Sequence, residues 1–272
     1  MTIATVGIIG AGTMGGGIAI NLGQHGFTVL LLDSRPGAAA EAVAAAGTFY
    51  ARAAEKGRIT AADAAAAHAR LGVARSLGDL AGVDLLIEAV FEDFDLKARL
   101  LDDLSPVLRG DAIIATNTSC LRVGDLARHV GNPERFVGLH YFSPAAVNPI
   151  VEVIQGAATA DATVEAALEF CRASGKQPLR CRDSYGFAVN RFFCPYTNEA
   201  ARALDEGVGS TAEIDLAAKE AVGAAAGPFL VMNLIKPRIN LHAIRNLAPL
   251  GPFYAPARSM EETGDADRAW AI

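Results

Sequence analysis

Val6-Gly7-Ile8-Ile9-Gly10-Ala11-Gly12-Thr13-Met14-Gly15-Gly16-Gly17-Ile18-Ala19-Ile20-Asn21-Leu22-Gly23 is the stretch that decides the fold. Val6–Ile9 reads as a buried strand, Gly10–Gly15 as a glycine-rich turn, and the remainder as the opening of a helix. Thr28-Val29-Leu30-Leu31-Leu32 reads as a second strand, with Asp33 at its end. Together these parts form a dinucleotide-binding βαβ signature. Gly10 permits the tight turn, Gly12 clears room for a pyrophosphate to approach the backbone, and Gly15 lets helix and strand pack closely. Ala11, Thr13 and Met14 complete the turn, whose unpaired N–H groups at a helix N-terminus favour phosphate. Asp33 suits the hydroxyls of an adenosine ribose and repels a 2′-phosphate, which predicts NAD rather than NADP. Arg35 is a minor counter-signal.

The 272-residue chain is long enough for one large domain or two medium ones. Its formal charge of −6 comes without any basic run, so no nucleic-acid partner is predicted. No apolar stretch reaches membrane-spanning length. The N-terminus enters a strand almost directly, which predicts no signal peptide. Cys120, Cys171, Cys181 and Cys194 show no metal-ligand spacing; the expectation is a reduced, cytoplasmic protein without a metal.

Outward from the opening unit, strand and helix signals alternate. A helix is predicted over 37–56 and a second one through Ala61–Ala67, a helical hairpin standing off the sheet. Leu71–Ala74 is a weak strand, Asp84–Glu88 a strong one, followed by a helix from 95 to 108 with leucines at helical spacing. Ala112–Ala115, Phe136–His140, Pro149–Ile154 and Pro178–Cys181 supply further strands, and Ala162–Ala173 a helix. This pattern predicts an α/β fold: a Rossmann-type, doubly wound, mostly parallel sheet covered on both faces. Ligands bind outside the carboxyl ends of such strands. Gly10–Gly15, Asp33, Glu88, Asn117, Ser119 and His140 all fall at or just past those ends, which points to an enzyme. Strand signals stop near Asp183-Ser184, so the reading is a dinucleotide-binding domain over 1–183 and a smaller all-helical domain over 184–272. The charged segment Glu261–Arg268 is expected to be loosely ordered.

The residues resemble the NAD-dependent L-3-hydroxyacyl-CoA dehydrogenases. The resemblance runs from Val6 to about Gly227. It is carried by Gly10–Gly15, Glu88-Ala89-Val90-Phe91-Glu92 with Lys97, Thr116-Asn117-Thr118-Ser119, Gly138-Leu139-His140-Tyr141-Phe142, Val151-Glu152-Val153-Ile154, Asp183–Arg191 and Pro195–Glu199. It implies reversible NAD-linked oxidation of an L-3-hydroxyacyl-CoA to the 3-ketoacyl-CoA. His140 would be the general base and acid, and Glu152 the carboxylate that orients it. Ser119 and Asn190 would bond the reacting oxygen. Glu92, Lys97, Asn117 and Ser119 would lie near the nicotinamide ribose, and Lys56, by looser analogy, would contact CoA. The resemblance also implies a homodimer packed through the helical domain.

The chain departs from the family pattern on the substrate side. Cys120 replaces a second serine, Ser143 an asparagine, and Asn148-Pro149 a Met-Lys pair. The segment 232–237 lacks the usual Gly-Leu-Asp run, and the family's Gly-rich C-terminal tail is missing, so a truncated tail stays open. Two alternatives stand beside the main reading: a relative acting on a carrier-protein-bound or free hydroxy acid, and a non-catalytic NAD-binding protein. The β-hydroxyacid dehydrogenases with a catalytic lysine share the Gly-rich start but leave His140 and Glu152 unexplained.

Overall fold

The fold is described from a computed structural model over residues 2–272. The chain divides into two compact units, one ending at Asp183 and the other running from Ser184 to Ile272. In the first unit β1 (Thr5–Ile9), α1 (Thr13–Gln24) and β2 (Thr28–Leu32) form the βαβ unit. A hairpin of α2 (Ala38–Glu55) and α3 (Ala61–Ala69) leads to the short β3 (Leu71–Val73). Thr60 caps α3 by accepting from the Asp63 amide while Asp63 reaches back to Thr60 N. Then follow β4 (Leu85–Glu88), α4 (Phe94–Leu104), β5 (Ile113–Thr116), the short α5 (Val123–Leu126), β6 (Phe136–Tyr141), β7 (Ile150–Gln155), α6 (Asp161–Ala173) and β8 (Gln177–Arg182).

The strands form one eight-stranded sheet in the order β3-β2-β1-β4-β5-β6-β7-β8. The strand order reverses direction between β1 and β4, which opens a crevice at their carboxyl ends. β4, β5 and β6 are buried along their whole lengths, as expected for strands covered on both faces. The pairing is parallel throughout except between β6 and β7, which run antiparallel. The mostly parallel, doubly wound sheet read from the sequence is therefore present. α4 stops at Leu104 rather than 108: Ser105 still has helical dihedrals, but Pro106 has no N–H to donate to the Asp102 carbonyl and breaks the ladder.

The second unit contains α7 (Val189–Asp205), α8 (Thr211–Val222), α9 (Pro228–Ile235), α10 (Pro237–Arg245) and α11 (Arg258–Asp265). Its core gathers Ala201, Phe229, Met232, Leu241, Ile244 and Met260. Asp215 on α8 is buried, and its carboxylate accepts from the Phe229 and Leu230 amides at 2.7 and 3.0 Å, satisfying orphan donors at the start of α9. The charged segment at 261–268 corrects the expectation of loose order, because most of it lies in α11. Met260, Thr263 and Gly264 bury one face, while Arg245 pairs with Asp265 across the α10–α11 contact at 3.0 Å. Gly264 permits that packing, since a Cβ there would lie 2.5 Å from Leu241 Cβ.

Candidate active site

The glycine-rich turn sits at the mouth of the β1–β4 crevice. Gly10 has a φ of +97°, and a Cβ on it would come within 2.4 Å of the Ala89 carbonyl oxygen. A Cβ on Gly15 would lie 1.8 Å from the Gly10 carbonyl oxygen. Both positions therefore require glycine. A Cβ on Gly12 would meet nothing within 4 Å, so that face of the turn is open. Gly10, Gly12, Thr13, Met14, Asp33, Val90 and Phe91 are among the residues lining a cavity of about 470 Å³. The open face at the start of α1 and a carboxylate beside it fit a dinucleotide.

Asp33 is engaged with the backbone on both carboxylate oxygens. Its Oδ2 accepts from the Ala11 amide at 2.7 Å and its Oδ1 from the Arg35 amide at 2.8 Å. The acid ending β2 thus clamps the turn after β1. Arg35, in turn, is engaged by Glu41 through both guanidinium NH groups.

A second cluster forms where β4, α4 and the loop after β5 meet. Glu88 is fully buried at the end of β4. It accepts from Lys97 Nζ at 2.6 Å, the Val90 amide at 2.8 Å and Thr116 Oγ1 at 2.7 Å. Lys97, 1% exposed, also lies 3.2 Å from Glu92 Oε2. The other Glu92 oxygen accepts from Thr118 Oγ1, the Ser119 amide and the Cys120 amide and thiol. Burial raises the Glu92 carboxyl, but the Lys97 ammonium and these bonds outweigh it and hold the group below the usual carboxylate range. Breaking the buried Lys97–Glu88 pair would leave an uncompensated charge. The Lys97 ammonium is bound to Glu88, Glu92 and the Val90 carbonyl, and Glu92 in turn holds the loop at Ser119.

His140 and Glu152 face one another across the antiparallel β6–β7 pair. Both are buried, and His140 Nδ1 stands 2.7 Å from Glu152 Oε2. A carboxylate at this distance favours the tautomer that carries its proton on Nδ1. Phe142 lies against the imidazole with ring centroids 4.3 Å apart. Cys181 on β8 places its sulfur 3.6 Å from Glu152 Oε1. Asn117 ties the two halves together: its Oδ1 accepts from the Tyr141 amide at 2.9 Å, and its own amide donates to Glu88 O.

The first unit therefore brings together the Gly10–Gly15 turn with Asp33, and Glu92, Lys97, Asn117 and Ser119 with His140 and Glu152. Asn190 lies in the first turn of α7, in the helical unit. Lys56 closes α2 and lines a separate cavity of about 510 Å³ with Phe49, Arg52 and Arg58. Sequence reading missed the structural work of Glu88, Thr118, Cys181 and Asp183. Asp183 accepts from the Val123 and Gly124 amides, anchoring the segment after Ser119. Glu88 left one signal: an acid closing an otherwise apolar, buried strand. Among the described residues no group of three or more His, Cys, Asp or Glu forms a metal site.

A Rossmann crevice with a Gly-rich turn and an acid after β2, beside a buried His–Glu pair, defines an NAD-dependent oxidoreductase. The chain belongs to the 3-hydroxyacyl-CoA dehydrogenase family. The family models for its NAD binding domain and C-terminal domain match residues 5–184 and 186–269. The chain is 38% identical over 240 residues to 3-hydroxyadipyl-CoA dehydrogenase of Escherichia coli, covering 88% of this chain and 50% of that protein. It is also 38% identical over 233 residues to 3-hydroxybutyryl-CoA dehydrogenase of Bradyrhizobium diazoefficiens, covering 86% of this chain and 80% of that one. Among solved structures, (S)-3-hydroxybutyryl-CoA dehydrogenase from Ralstonia eutropha superposes with a TM-score of 0.94 at 35% identity, covering all of both chains. This chain thus spans half the length of the Escherichia coli relative.

Proposed function

We propose that the protein catalyses the reversible NAD-linked oxidation of an L-3-hydroxyacyl-CoA to the 3-ketoacyl-CoA, with His140 as general base and acid. The observation that carries this reading is the buried His140–Glu152 pair, 2.7 Å apart at the carboxyl edge of the sheet. His140 Nε2 takes the proton of the 3-hydroxyl as the C3–O bond becomes a carbonyl. NAD, when bound, would supply the acceptor for the hydride that leaves C3. Glu152 stabilises the imidazolium that forms and returns the ring to the same tautomer after the proton leaves. Ser119, on the loop held by Glu92, bonds the reacting oxygen, the role that the family resemblance also gives Asn190. Gly10–Gly15 and Asp33 hold the dinucleotide, and Glu92, Lys97 and Asn117 shape its nicotinamide end.

Lys56, with Arg52 and Arg58 beside it, offers positive charge suited to the phosphates of CoA. The names of the relatives favour a short-chain or dicarboxylic acyl group. The protein acts as a homodimer through its helical unit, in the cytoplasm; no helix among the described residues is long and apolar enough to cross a membrane.

The test is NADH consumption with acetoacetyl-CoA, run beside carrier-protein and free-acid forms of the substrate. Turnover is expected with the CoA thioester. His140→Gln is expected to lower kcat roughly a hundred- to ten-thousand-fold while still binding NADH. Near-full turnover in a folded His140→Gln variant would defeat the mechanism. Preference for the carrier-protein or free acid would move the substrate assignment and leave the chemistry in place.

A further inference from the structure

Arg35 is the feature of the cofactor site that the NAD assignment does not absorb. It stands two residues beyond Asp33, at the turn where the adenosine ribose is read, and a guanidinium is the side chain that best receives a 2′-phosphate. Its fork is already occupied. NH1 donates to Glu41 Oε1 at 3.1 Å and NH2 to Glu41 Oε2 at 2.7 Å, a bidentate pair. Its backbone is held as well, because the Arg35 amide donates to Asp33 Oδ1. Glu41 lies in the first turn of α2, where its amide donates to Gly37 O and the helix N-terminus favours a carboxylate. The latch is therefore anchored in a regular element at one end and in the Asp33 turn at the other.

We infer that Glu41 is a specificity-determining residue: it withholds Arg35 from a 2′-phosphate and so adds to the discrimination against NADP begun by Asp33. Asp33 and Glu41 act on different atoms. Asp33 repels the extra phosphate directly, whereas Glu41 engages the guanidinium of Arg35, the cation two residues beyond Asp33. Both latch side chains are largely exposed, at 61% and 65%, so the pair is screened and worth at most about five-fold in an equilibrium constant. That sets the size of the effect. Glu41 tunes the preference and Asp33 decides it.

The inference rests on the NAD site described above, and the experiment keeps the two apart. Dissociation constants for NADH and NADPH are measured by calorimetric titration on the whole protein, without substrate. Glu41→Ala is expected to tighten NADPH about three- to five-fold and to leave NADH within about two-fold. In an Arg35→Ala background the same Glu41→Ala change is expected to give no gain for NADPH. An unchanged NADPH-to-NADH ratio in Glu41→Ala would overturn the latch. So would a gain that persists without Arg35, since it would then come from removing a negative charge alone. Failure of the unaltered protein to bind NADH would overturn the site itself, and the latch with it.

Discussion

At the residue scale, single side chains here hold two tasks at once. Asp33 reads in the sequence as a ribose acceptor, and in the structure its carboxylate accepts from the Ala11 amide of the glycine-rich turn. Lys97, which the family resemblance places near the nicotinamide ribose, is buried, with its ammonium between Glu88 and Glu92. That pairing was not legible because its partners come from β4 and the segment after it, and only the folded register brings them to one point. The Gly10–Gly15 turn was legible, because backbone chemistry fixes its residue types locally. Glu92 yields a prediction with a sign. Its carboxyl is held below the usual range, so its contribution is complete above about pH 4.5 and is lost as pH falls through the folded value. Glu92→Gln is expected to lower stability at pH 7 by about 1–3 kcal/mol. Thermal unfolding followed from pH 7 to pH 3 should show the gap to the unaltered protein closing at the acid end. A constant gap would assign the loss to packing rather than charge.

At the element scale, boundaries followed from local chemistry where that chemistry was decisive. Thr60 and Asp63 start α3 with a capping box, and Pro106 ends α4 early. α11 was missed for a different reason. Its charges suggested solvation, but they ride on one face of a helix whose other face presses Met260 and Gly264 toward the core. What makes it a helix is a partner, α10, rather than its own composition. The close approach at Gly264 is testable. Gly264→Ala forces a methyl group against Leu241 and is expected to destabilise the protein by about 1–3 kcal/mol, despite the better helix propensity of alanine. Chemical denaturation would read this directly, and a gain in stability would show that α10 and α11 have room to move apart.

At the scale of the whole molecule, the change from alternating strands and helices to helices alone is visible because β8 closes the sheet at Arg182 and only helices follow. The helical unit also leaves large apolar side chains in solvent, Phe192 and Leu234 among the most exposed at 79% and 74%. The proposed homodimer would cover side chains of this kind. Light scattering at micromolar concentration is expected to give twice the 28.3 kDa chain mass, and Leu234→Asp to shift the protein toward monomer. A monomer in the unaltered protein would set the homodimer aside. The antiparallel turn of β7 against β6 carries one more consequence. His140 and Glu152 meet because each points to the same face at the same rung of the ladder. Side chains alternate faces at every step, so adding or removing one residue between His140 and Glu152 within either strand would turn one partner away altogether. A change of length that keeps this pair on its rung is therefore confined to the loop at 142–149.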